Sequence, residues 1–205
     1  MMQLDLKKRV AELVSNILSP FVVCTIVVIL VSLRVTTSLA AALKWSLISL
    51  GLSILPVFLI ILYLVSSDRL ESVFINVRRQ RHKIYLLSGI FSVISCVVLY
   101  YLGAPRVLVA EFVAGLVAVI VFMGINLWWK ISVHTAFAAS AVTILILLYG
   151  AIGAVAALLL PLIGWSRIEL EHHSPTQVAI GAALAALIVI VVFSLFGLVG
   201  RGASL

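Results

Sequence analysis

Six apolar runs dominate the chain, and their lengths set what it can fold into. They are Ile17 to Val35, about Leu43 to Ser66, Ile84 to Leu102, Val107 to Trp129, Thr135 to Trp165 and Pro175 to about Val199. A helix of about 20 apolar residues crosses roughly 30 Å of hydrocarbon. Five of the runs suit one crossing each. Thr135–Trp165 does not, because its 31 residues would make a helix about 46 Å long, which fits a bilayer only with severe tilt. Broken near Gly150 to Gly153, it becomes a hairpin of two short spans of about 14 to 15 residues, with Pro161-Leu162-Ile163-Gly164 leading out to the interface. The expected fold is an all-α, polytopic transmembrane bundle of about seven spans, or six if Thr135–Trp165 is one helix.

Composition agrees. Apolar types make up 64% of the chain and charged residues 10%, against about half and a quarter in soluble domains. So few charges cannot cover a water-facing surface, and disordered chains lack the residue types that prevail here. Ahead of the first span, Leu4, Leu6, Val10, Leu13, Val14 and Ile17 recur at helical spacing, with Lys7, Lys8, Arg9 and Glu12 between them. Residues 1–16 read as an amphipathic interfacial helix, and 17–205 as one transmembrane domain. A cleaved leader ending at Ala40-Ala41-Ala42 fits poorly, since the apolar run is long and its front carries Asp5 and Glu12. Cys24 and Cys96 lie inside apolar runs as small buried hydrophobes.

Fourteen Lys and Arg face seven Asp and Glu, a formal +7. The cations lie in short loops between spans, which suits lipid headgroups and phosphate-bearing substrates rather than nucleic acid. Three polar clusters stand out. Ser67–Lys83 holds Asp68, Arg69, Glu71, Arg78, Arg79, Arg81, His82 and Lys83; the others are Lys130–His134 and Ser166–Gln177. Two spans separate each cluster from the next if the hairpin forms, so all three emerge on one side. A single helix over Thr135–Trp165 would put the third cluster opposite.

Taken alone, the Arg-rich loop reads as a membrane anchor and a histidine at a helix end as an interfacial residue. The combination is more specific, because polar residues near membrane depth are costly unless they serve a site. Guanidinium and ammonium groups suit a tetrahedral phosphate, and helix N-termini add N–H donors and a positive dipole end. Two such termini are signalled: Ser132 before the fifth span, and Ser174-Pro175, an N-cap followed by a first-turn proline. His134 and His173 beside them supply a nucleophile and a proton donor, which is what phosphoester cleavage without a metal requires.

The segment Ser166-Arg167, five residues, His173, three residues and Gln177 resembles the third signature of the type 2 phosphatidic acid phosphatase superfamily, S-R-x5-H-x3-D. Ile131-Ser132-Val133-His134 resembles its second signature, P-S-G-H, with Ser and His kept. The resemblance covers about 67–181. It implies His173 as the nucleophile that forms a phosphohistidine, His134 as the general acid, and Arg167 and Ser132 as phosphate ligands, with Lys130 beside them and Ser166 supporting. The first signature, K-x6-R-P, has no literal match; Arg78, Arg79, Arg81 and Lys83 are the available substitutes, with Arg78 and Arg81 preferred. Gln177 replaces the family's Asp. Its amide accepts a hydrogen bond from the histidine but stabilises the developing positive charge less than a carboxylate would. Glu169, four residues before His173, compensates only if that segment is helical.

The implied activity is metal-independent hydrolysis of a lipid or polyprenyl phosphate or diphosphate, with no cofactor, in an integral protein of the cell membrane. Other readings fit less. An intramembrane prenyltransferase needs Asp-rich magnesium motifs, and the chain has only Asp5 and Asp68. A zinc site would draw on His134, His172, His173 and Glu169, but adjacent histidines on a helix diverge by about 100°. A serine protease would need Ser132 and His134 deeper in the bilayer. A transporter or lipid-phosphate-binding scaffold using the same basic pocket is the alternative. Cations number ten on the N-terminal and cluster side against four opposite, so the positive-inside rule places the site in the cytoplasm. Six of the ten are themselves candidate phosphate ligands, and without them the sides are equal.

Overall fold

The computed structural model describes residues 2–70 and 78–200, with side chains over 6–70 and 81–200. Every regular element among them is helical: α1 Met2–Ile17, α2 Pro20–Val35, α3 Leu39–Leu52, α4 Ile54–Ser66, α5 Arg78–Tyr101, α6 Arg106–Ile125, α7 Val133–Tyr149, α8 Ala151–Ala154, a 3-10 turn Val155–Leu158, α9 Leu159–Glu169 and α10 Pro175–Leu195. Six stretches are long and apolar enough to cross a bilayer: Leu6–Val35, Leu39–Ser66, Arg81–Tyr101, Arg106–Ile125, Ala151–Glu169 and Pro175–Leu195. The shorter α7 is the seventh apolar helix. The chain is a multi-pass, all-α membrane protein of six to seven spans.

Local chemistry sets the boundaries. Ser38 caps α3, its hydroxyl oxygen accepting the Ala41 N–H at 3.2 Å. The second apolar run is two helices rather than one, parted at Ser53. Pro56 has no N–H to offer the carbonyl of Leu52, and the Ser53 hydroxyl donates back to Ser49 O at 2.6 Å. Besides α7, four helices end in a residue of positive φ: α4 at Asp68, α5 at Gly103, α9 at Glu171 and α10 at Gly197. Each end carries the paired backbone bonds that close a helix onto its last carbonyls. At α4, for example, Arg69 N–H donates to Leu64 O at 2.9 Å and Asp68 N–H to Val65 O at 3.1 Å.

The long apolar run does break at Gly150, whose φ of 60° and ψ of −130° suit a residue without a side chain. Behind the break the chain doubles back, and α8, the 3-10 turn and α9 all pack on α7. The reversal is tight: a Cβ on Gly153 would stand 2.1 Å from the carbonyl oxygen of Leu145. Pro161 to Gly164 lie within α9. Pro161 sits in the first turn of α9, where a missing N–H is tolerated, and the preceding residues tighten into the 3-10 turn in front of its ring.

The described residues divide into two compact units. In the unit holding residues up to Val27 and Lys130–Val191, α1 packs on α9 and α9 on α7. In the unit holding Val28–Trp129 and residues from Val192, α5 packs on α6, and α3 on α4 and α5. Within that second unit the Arg106 guanidinium also donates to Phe196 O at 3.1 Å.

Candidate functional site

The first unit brings two of the three polar clusters together, and the turn after α9 is the centre of the arrangement. Glu171, at φ 58°, ends the helix. Its N–H donates to Ile168 O at 2.9 Å, and the N–H groups of His172 and His173 both donate to Arg167 O, at 3.1 and 3.2 Å. One carbonyl thus ties the backbone of His173 to that of Arg167. Both side chains are buried, at 6% and 2% exposure.

Ser174, Pro175 and Gln177 then start α10 with a reciprocal pair of bonds. The Ser174 hydroxyl oxygen accepts the Gln177 N–H at 3.3 Å, and Gln177 Oε1 accepts the Ser174 N–H at 3.3 Å. This is a capping box, with Gln177 at the third helical position. The same Oε1 lies 3.0 Å from Nδ1 of His173. An amide oxygen only accepts, and its bond from a backbone N–H fixes it as the oxygen, so Nδ1 carries the ring hydrogen. In the neutral ring Nε2 then holds the lone pair.

The Lys130–His134 segment is laced onto this turn. Lys130 Nζ donates to His172 O at 2.7 Å. Ser132 N–H donates to Gln177 O at 3.4 Å, and the Thr135 hydroxyl, bonded to Ser132 O at 3.1 Å, also lies 3.3 Å from Val178 O. Gly181 allows the approach, since a Cβ there would stand 2.8 Å from Ile131 Cγ2 and 3.1 Å from Ser132 O. The N-termini of α7 and α10 therefore lie side by side, two positive dipole ends at the turn that Lys130 and the Arg167 carbonyl hold.

Each expected residue has a place. Ser132 is the N-cap of α7, its hydroxyl oxygen 3.5 Å from the Thr135 N–H, and it is fully buried. His134 is the second residue of α7 and is buried. The Ser166 hydroxyl donates to Ile163 O at 2.9 Å, inside α9. Glu169 does not lie on one helix with His173, because α9 stops at Glu169. Its carboxylate meets Lys7 Nζ at 2.6 Å instead. Arg81 belongs to the second unit, buried on α5 one turn from buried Tyr85. Arg78 opens α5 and Arg79 follows it, but the side chains of both lie outside the described residues.

Sequence reasoning missed α1 as part of this site. Lys8 Nζ pairs with Glu171 at 3.1 Å, and the Ser15 hydroxyl accepts from an Arg167 terminal nitrogen at 2.6 Å. The spacing of Lys7, Ala11 and Ser15, four residues apart each time, was the available signal. Thr135 and Gly181 were missed too; neither has a sequence signature outside the fold. No protein-family model matches the chain, and no curated protein or solved structure matches it either.

Proposed function

We propose that this protein hydrolyses a lipid or polyprenyl phosphate through a phosphohistidine on His173, without a metal. The observation that carries the reading is the bond from His173 Nδ1–H to Gln177 Oε1, which leaves the lone pair on Nε2 of a histidine tied to a buried arginine. In the first step Nε2 attacks phosphorus, the bond from phosphorus to the lipid oxygen breaks, and His134 gives that oxygen its proton. In the second, water attacks phosphorus, loses a proton to His134, and releases inorganic phosphate and free His173. Arg167 and the paired helix N-termini offset the charge on the phosphoryl oxygens.

A substrate tail remaining in the bilayer suits a site at the ends of spans. By the excess of cations on its side, the site faces the cytoplasm of the cell membrane. The deciding experiment measures phosphate release by the detergent-solubilised protein from phosphatidate, a phosphatidylglycerophosphate and polyprenyl mono- and diphosphates, with chelator present. Release that survives the chelator and disappears in His173→Ala is expected; full activity in His173→Ala would sink the mechanism. One observation favours a second reading. Gln177 has a complete capping role of its own and carries no charge, which serves a lipid-phosphate-binding membrane protein without turnover equally well.

A further inference from the structure

The N-terminal helix touches the proposed phosphate site at one buried point. Along α1 the small residues Ala11 and Ser15 form a buried seam, with Lys7 one turn before them, while Leu6, Val10, Leu13 and Ile17 are exposed on another face. The seam packs on α9. Lys7 and Lys8 hold its outer end through Glu169 and Glu171. At the inner end Ser15, 2% exposed, receives the Arg167 N–H at 2.6 Å.

We infer that Ser15 is a positioning residue, whose hydroxyl oxygen sets the rotation of the Arg167 guanidinium that receives phosphate. This rests on the phosphatase reading of the same site. The argument is one of donors and planes. A guanidinium has five N–H donors in one rigid plane, so fixing one terminal nitrogen against Ser15 fixes the directions of the remaining four. A hydroxyl suits the task because it accepts without adding a negative charge that would neutralise the arginine and repel phosphate. Ser15 lies far from Arg167 in sequence, so this orientation depends on α1 being docked, and the exposed apolar stripe of α1 suits a lipid-facing side.

The test compares Ser15→Ala, Ser15→Thr, Arg167→Lys and the Ser15→Ala/Arg167→Lys double variant, each checked for unchanged thermal unfolding in detergent. Steady-state phosphate release and calorimetric binding of inorganic phosphate are both measured. Ser15→Ala is expected to lower kcat/KM and phosphate affinity by roughly ten- to a hundredfold, the worth of a hydrogen bond to a charged group. Ser15→Thr, which keeps the oxygen, should restore most of both. In the Arg167→Lys background, where the planar fork is gone, Ser15→Ala should have little further effect. Losses that simply multiply, or an active wild type with an unaffected Ser15→Ala, overturn the positioning role and leave the phosphatase reading standing. A wild type that binds phosphate without turnover still tests the role by affinity. One that neither binds nor releases phosphate overturns both.

Discussion

Gln177 holds His173 and the start of α10 with one oxygen atom: its Oε1 lies 3.0 Å from Nδ1 of the histidine and 3.3 Å from the Ser174 nitrogen. The side chain that caps the helix therefore also fixes which ring nitrogen of His173 bears hydrogen.

These two roles separate by mutation. Ser174→Ala removes one bond of the capping box and leaves the contact to His173, so it should cost about 1 kcal/mol of stability with activity near wild type. Gln177→Ala removes both, and should cost a similar amount of stability but lower kcat by roughly ten- to a hundredfold. Thermal unfolding in detergent beside steady-state kinetics checks the pair. Equal kinetic effects would show that Gln177 is a cap alone.

Glu171 occupies a backbone region that favours glycine, at φ 58°. A side chain there costs about 1–2 kcal/mol, partly offset by the greater freedom glycine has in the unfolded chain. The ion pair with Lys8 is largely exposed and adds little. Glu171→Gly should accordingly raise stability by about 0.5–1 kcal/mol, and Glu171→Val should lower it. Unfolding midpoints of the two variants decide the matter.

Gly181 separates α10 from the start of α7 by less than a methyl group. Gly181→Ala should push against Ile131 and the Ser132 carbonyl, costing about 1–3 kcal/mol and lowering phosphate release more than the stability loss alone explains. A structure or crosslinking distance between residues 131 and 181 would reveal the displacement.

Gly153→Ala is the harsher change, because the obstacle is backbone of Leu145 rather than a side chain. A loss of about 3 kcal/mol or more is expected, read as reduced yield and a lowered unfolding midpoint. Gly115→Ala, where an added Cβ meets nothing within 4 Å, serves as the control and should cost nothing or stabilise slightly.

How much of this was legible depends on range. The spans, and the break that returns residues 166–177 to the end holding Lys130, follow from run length against bilayer thickness and from the glycines at 150 and 153. Ser174, Pro175 and Gln177 also spell a capping box in the sequence, although Gln177 drew attention only as the place of a missing aspartate. The separation of α3 from α4 was not expected, although Pro56 was its local signal. The Lys7 and Lys8 pairs and the Ser15 contact were not, because nothing local in residues 1–16 names the helix they pack on. For Glu169 the stated condition, a helix running through His173, is not met: the left-handed turn at Glu171 ends α9, and the carboxylate pairs with Lys7.

The carbonyl oxygen of Arg167 receives the peptide N–H groups of both His172 and His173. A proposed anion ligand and a proposed nucleophile are thus mounted on one short piece of chain. When α9 sways or the surrounding lipid changes thickness, the backbones of the two are carried together, because the turn after α9 ties them through one carbonyl. Membrane composition should therefore alter how readily a lipid arrives far more than how well its phosphorus is aligned once there.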